Sequence, residues 1–252
     1  MSKKRLISTV SGFVILIFLA GFVRTSSYPK QINVLIITGG HDFEHVPFYN
    51  VFSGHPHIRC DTMVQPRANA VINSEGINRY DVLVFYDMVD SLLPVEQQAY
   101  VNLLRKGKAM IFLHHSLVSY QNWPEFIKIV GGQYHTKPVV AHGDTLKSSY
   151  EHDVVMPIKI EGKGHPITKG ITDFDILDEV YGGTEILPTV IPLLGTTQTK
   201  SMRYVAWINR YGNSDVVYIQ LGHGPSAYEN TNYRKLIQQA IEWSAARHAQ
   251  AR

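Results

Sequence analysis

Ile32-Asn33-Val34-Leu35-Ile36-Ile37-Thr38-Gly39-Gly40 is the stretch on which the fold class turns. It is apolar almost throughout and does not alternate with polar residues. That is the pattern of a strand buried on both faces, which belongs to parallel sheets covered by helices. The two glycines end the strand in a sharp turn and let backbone come close to whatever lies beyond it. Two further runs read the same way, Asp81–Asp87 and Ala109–Leu113. Between them Ser91-Leu92-Leu93-Pro94 marks a helix start, since proline suits the first turn. The helix is expected over 95–106 and stops at Gly107. A weaker strand is expected around Ile58–Val64, and a short helix over 122–130, stopped by Gly131-Gly132.

Strand and helix alternating at these lengths imply parallel strands joined by right-handed crossovers. The expected fold is therefore α/β with a mainly parallel central sheet. In such sheets ligands bind in the crevice outside the carboxyl ends of the strands. Gly39-Gly40-His41, Asp87 and His114-His115 all belong to that edge. Farther on, strands are expected over 154–160, 190–196, 204–210 and 216–221, with a hairpin at Tyr211-Gly212-Asn213-Ser214-Asp215. A closing helix over 232–247 carries Tyr233, Leu236, Ile237, Ala240, Ile241 and Trp243 on one stripe. Residues 46–79 and 133–153 give no clearer periodicity. No repeat or linker divides residues 31–252, which read as one domain.

Residues 1–30 stand apart. Lys3-Lys4-Arg5 precede a run from Leu6 to Val23 with no charge, about 18 residues long and at the threshold of a membrane span. This is a signal peptide or an N-terminal membrane anchor, and either implies export to the periplasm or the outer face of the inner membrane. These residues hold Lys3, Lys4, Arg5, Arg24 and Lys30 and no acid, so without them the formal net charge falls from +3 to −2. A mildly acidic body argues against nucleic acid as a partner and leaves the N-terminal segment as the membrane contact. One cysteine, Cys60, excludes an internal disulfide and a multi-cysteine zinc site; it reads as structural. The composition leaves oligomeric state open, a homo-oligomer included.

Four constellations hold the chemistry. Gly39-Gly40-His41-Asp42-Phe43-Glu44-His45 offers a proton carrier, a carboxylate and metal-ligating nitrogens after a strand. His114-His115-Ser116 follows a buried strand, where neighbouring side chains leave in different directions, so the two histidines are expected in different roles. Ser116 stands where a strand-to-helix elbow carries a nucleophile, without the flanking glycines. His165-Pro166-Ile167 with Asp178-Glu179-Val180-Tyr181 pairs carboxylates with an aromatic face, as sugar hydroxyls require. Leu221-Gly222-His223-Gly224 places a histidine between glycines, poorly suited to core packing. His135 and His142 read as loop histidines.

In this order the segments resemble the ThuA-like (trehalose utilisation) family: Thr38–His45, Phe112–Ser116, Trp123-Pro124-Glu125-Phe126 with Gly131-Gly132, His165–Ile167, Asp178–Tyr181, Leu221–Gly224 and Glu242-Trp243. The resemblance implies a three-layer sandwich similar to flavodoxin and class I glutamine amidotransferases, and a substrate among trehalose-type disaccharides or their 3-keto derivatives. Amidotransferases carry a cysteine at the elbow; His114-His115 stand there instead, which argues against glutamine hydrolysis. The expected catalytic residues are His41, Glu44, His114, His115 and His223. Gly39, Gly40, Trp123, Glu179 and Tyr181 are expected to bind substrate. A divalent ion, zinc by chemistry, is expected on His45, His114 and His223. The alternatives are a non-catalytic sugar-binding protein and a hydrolase using Ser116.

Overall fold

The computed structural model describes residues 31–141 and 143–250. Residues 1–30, expected to be a signal or anchor segment, and His142 lie outside the described residues. Nine strands form one sheet: β1 (Ile32–Gly39), β2 (Ile58–Val64), β3 (Val82–Asp87), β4 (Ala109–Leu113), β5 (Ser149–Ile160), β6 (Phe174–Gly182), β7 (Ile191–Thr196), β8 (Tyr204–Tyr211) and β9 (Ser214–Ile219). Their order is β2-β1-β3-β4-β9-β8-β7-β5-β6. The half from β2 to β9 is parallel, as the buried runs imply. The half from β9 to β6 is antiparallel, so the sheet as a whole is mixed.

Every residue of β3 and β4 is buried. Successive side chains leave a strand on opposite faces, and the two faces fill two separate cores. Val34, Ile36, Val84 and Ile111 join one core, which is closed by α1 (His45–Asn50) through Phe48, by α5 (Pro225–Tyr228) through Ala227 and Tyr228, and by α6 (Thr231–Gln250) through Tyr233, Leu236, Ile237 and Ile241. Leu35, Ile37, Phe85 and Phe112 join the other. It is closed by α2 (Arg67–Ile72) through Ala68 and Ile72, by α3 (Pro94–Arg105) through Tyr100 and Leu104, and by α4 (Glu125–Val130) through Phe126 and Ile129. Pro94 opens α3, and the Glu96 carboxylate accepts the Leu93 N–H at 2.8 Å. The helix expected over 122–130 begins only at Glu125, because Gln121 and Asn122 form a turn before Pro124.

Strand β6 was not among the strands expected from the sequence. It is an edge strand in which Asp178, Glu179 and Tyr181 are all buried, Glu179 and Tyr181 on one face and Asp178 on the other. Three strands separate β6 from β9 in the sheet. Even so, Gln220 Nε2 donates to the Glu179 carbonyl, and the Gly222 and His223 N–H groups donate to the Asp178 carboxylate at 2.7 and 2.9 Å. The antiparallel half therefore curls back across the carboxyl ends of the parallel half.

Candidate functional site

His114 is the first residue after β4 and has φ of 46°, left-handed backbone that a non-glycine residue adopts only under constraint. The Tyr218 hydroxyl donates to its carbonyl at 3.0 Å, and its Nδ1 lies 2.6 Å from the Gln220 carbonyl. A carbonyl only accepts, so Nδ1 carries the hydrogen and Nε2 is left facing Glu179 Oε2 at 2.8 Å. His223 Nδ1 stands 3.1 Å from the same Nε2 and 3.3 Å from the same Oε2. The Tyr181 hydroxyl is 3.1 Å from Nε2. Among the described residues, His114, Glu179 and His223 form the group whose ligand atoms could hold one metal ion.

Electrostatics follow from this triangle. Burial would push the Glu179 carboxyl up, but the hydrogen bonds from His114 and His223 prevail and hold it well below the usual carboxylate range. His223 is raised, chiefly by its bond to Glu179. Asp178 is raised by burial, against the pull of His114 and of three backbone N–H groups. Tyr181 is pushed far up by burial and by the charge on Glu179, so its hydroxyl stays protonated and can donate.

His115 leaves the strand end on the other side, as expected for neighbouring residues. Its ring lies 4.1 Å from that of Tyr86 and is stacked at 4.7 Å on that of His41. It is buried, and neither ring nitrogen meets a partner in hydrogen-bonding geometry. Burial, then the neighbouring His114, depress its pKa far below the ordinary histidine value; a weaker pull toward the charged form comes from the Tyr86 backbone. His115 is thus a neutral ring at physiological pH. His41, by contrast, is exposed, and its Nδ1 sits 2.6 Å from the Asp42 carbonyl. The hydrogen is again on Nδ1, so in a neutral ring the lone pair is on Nε2.

A cavity of about 370 Å³ brings these groups together, lined among others by His41, His115, Tyr134, Tyr181, Glu179 and His223. That is within the range of small-molecule sites, about 300–1,000 Å³. A second cleft of about 240 Å³ adjoins it, sharing His152, Glu179 and His223 and reaching Glu44.

Five expected residues lie elsewhere. His45 opens α1 with its ring stacked on Phe43 at 4.4 Å; it is not in the triangle, and Glu179 takes its place. Trp123 is buried in the second core against Phe126, Tyr120 and Tyr100, where the turn into α4 points it inward. Ser116 is fully buried and its hydroxyl meets no partner, so no histidine activates it. Gly39 and Gly40, with φ of 123° and 81°, do not line the clefts. A Cβ at Gly40 would come 1.9 Å from the Met88 carbonyl oxygen, so the glycine is required by chain packing. His135 pairs with Glu185 at 2.7 Å. His152, which the sequence reading passed over, stands half exposed with Nδ1 3.3 Å from Glu179 Oε1. It sits where the β5–β6 register shifts, beside Asp153 at φ 56°, and no motif surrounds it.

A family model, ThuA, described as trehalose utilisation, matches residues 30–244. The chain belongs to the ThuA family. Among solved structures, this ThuA chain is similar to a ThuA-like protein from Parabacteroides merdae, with a TM-score of 0.72 at 18% identity over 86% of this chain and 90% of that one. A ThuA-like protein from Bacteroides uniformis matches with a TM-score of 0.62 at 16% identity over 87% and 94%. A β-galactosidase from Bacillus circulans sp. alkalophilus matches with a TM-score of 0.54 at 11% identity, over 85% of this chain and 31% of that one. At these identities the likeness is one of fold. No curated protein matches the ThuA chain.

Proposed function

We propose that this ThuA protein performs acid–base chemistry on a trehalose-type disaccharide or its 3-keto derivative, outside the cytoplasm. The observation that carries the reading is that His41 lines one cleft with Glu179 and His223, the two members of the triangle that reach it, while His114 closes the triangle from behind. A keto group acidifies the neighbouring C–H. Its removal needs a base, and the enediolate oxygen that forms needs a fixed positive centre. His41, with its Nε2 lone pair and exposed ring, fits the base. The triangle, where His223 is raised by its bond to Glu179 and so favours its charged form, fits the second role. The Tyr181 hydroxyl adds a donor. The neutral ring of His115 backs His41 without competing for its proton. The layered packing on both faces of the sheet fits an amidotransferase-like sandwich, with His114 at the elbow in place of a thiol. Export rests on the charge-free run after Lys3-Lys4-Arg5.

The test is incubation of the purified protein with 3-ketotrehalose in deuterium oxide, followed by proton NMR. Deuterium is expected to enter the C–H beside the keto group. His41→Ala should slow this about 10²–10⁴-fold without moving the melting temperature. A folded protein that neither exchanges nor alters the sugar sinks the enzymatic reading. Tyr150, 61% exposed, and Tyr134 also line the cleft and offer faces for sugar stacking. They favour a second reading, a sugar-binding protein without turnover, which calorimetric binding with no exchange would support.

A further inference from the structure

His114 Nε2, Glu179 Oε2 and His223 Nδ1 are in mutual contact, with edges of 2.8, 3.1 and 3.3 Å. A hydrogen bond needs a donor on one side and an acceptor on the other. Three atoms that all touch one another cannot be divided that way. Protonate both histidines and two N–H groups confront each other; protonate one, and two lone pairs do; protonate neither, and the buried carboxylate faces a lone pair at 2.8 Å. Like contacts of this kind are expensive where water is excluded. A cation at the centre removes the conflict, since it accepts from all three lone pairs at once.

We propose that His114 Nε2, Glu179 Oε2 and His223 Nδ1 bind one divalent first-row metal ion, zinc in particular. The size of the triangle is right: a point about 2.1 Å from each corner, the usual zinc–nitrogen and zinc–oxygen bond length, stands roughly 1 Å off its plane. Three donors on one side leave further coordination positions for water or substrate, as catalytic zinc sites require. The surroundings are built to hold the donors. The other ring nitrogen of His114 donates to the Gln220 carbonyl, the outer bond that fixes tautomer and ring orientation in metal-bound histidines. Asp178 takes the Gly222 and His223 N–H groups and so fixes the loop that carries His223. Gly222 has φ of 110°, and a Cβ there would fall 2.3 Å from the Tyr233 hydroxyl, so this loop is pressed against α6. His152 Nδ1, on the other carboxylate oxygen, extends the shell. The site deepens the reading given above. It rests on that reading for what the ion does, since the ion becomes the positive centre beside the enediolate oxygen, but not for whether the ion binds.

The full chain, purified without a histidine tag and stripped with EDTA, is titrated with Zn²⁺ and, separately, with Co²⁺. Bound metal is measured by mass spectrometry. About one ion per chain is expected, with visible d–d absorption from the cobalt form and a melting temperature that rises on adding either ion. Glu179→Gln and His223→Ala, each checked for the wild-type fold by circular dichroism, should weaken binding at least about tenfold. His57→Ala removes a histidine–glutamate pair outside the cleft and should leave binding intact. A folded wild type that takes up no ion and shows no cobalt absorption overturns the proposal, whatever the variants do. Full binding in both folded triangle variants overturns it equally. Zinc bound at the triangle with no exchange into 3-ketotrehalose upholds the site and sinks the catalytic reading. Exchange by a folded chain that takes up no zinc does the reverse.

Discussion

Asp87→Asn should gain stability relative to wild type as pH rises from acid to neutral. Asp87 ends β3 and is fully buried. Its Oδ2 accepts from the Tyr120 hydroxyl at 2.7 Å and from Gln65 Nε2 at 3.3 Å, while Oδ1 has no partner. Burial pushes the carboxyl up from 3.8 to about 6, against the pull of those two hydrogen bonds. Between those values the native state keeps a proton that the unfolded chain has lost. Stability from this group is therefore full below the unfolded value, and it falls as pH rises through the window and levels off above the folded value. A shift of about 2 units at 1.36 kcal/mol each makes the loss about 3 kcal/mol. Asparagine carries no charge and escapes it. Its amide nitrogen, left without an acceptor, costs roughly 1–3 kcal/mol at every pH alike. The readout is thus the pH dependence of the difference, not its sign at one pH. Urea unfolding of both proteins at pH 4 and pH 7.5 should show the variant gaining about 2–3 kcal/mol on wild type between the two. A difference that does not change with pH would refute the assignment of a raised pKa to Asp87.

Gly40→Ala forces a Cβ to 1.9 Å from the Met88 carbonyl oxygen at a φ of 81°, and should cost more than about 3 kcal/mol in denaturant unfolding. Trp123→Ala should cost about 3–5 kcal/mol in stability, yet leave sugar binding by the remaining folded fraction unchanged, as read by calorimetry, because the indole lies in the core. The Cys60 thiol, pushed up to about 11 by burial and then by Asp61, should react with a disulfide reagent at pH 8 far more slowly than a free cysteine, and reach comparable rates only on unfolding.

The parallel half of the fold was legible because its inner strands β1, β3 and β4 are buried on both faces, so hydrophobicity alone marks them, whereas the edge strand β2 is half-exposed and gave a weaker signal. Ala109–Leu113 and Ile58–Val64 carry the bounds read from the sequence. The antiparallel edge was not legible in the same way. The first residues of β5 are exposed, and β6 buries Asp178 and Glu179 on its two faces, so neither shows an apolar run. In the site, the histidines at strand ends were legible because topology assigns them to one edge. The partner of His114 and His223 was misread. His45 is close to the cleft in sequence order, whereas Glu179 reaches it only through the curl of the sheet, which no local pattern encodes. Trp123 misled for a related reason: an aromatic residue near a strand end can face either the crevice or the core.

Glu179 rides on a strand paired on one side only, to β5. Edges open by local fluctuations that leave the rest of a sheet closed. The bond that Gln220 donates and the two that the Asp178 carboxylate accepts are what hold this edge over the parallel strands. The working arrangement and the fold therefore have different lifetimes: in rising denaturant or temperature the triangle comes apart while both cores are still packed, and amide hydrogens in Phe174–Gly182 exchange ahead of those in Val82–Asp87.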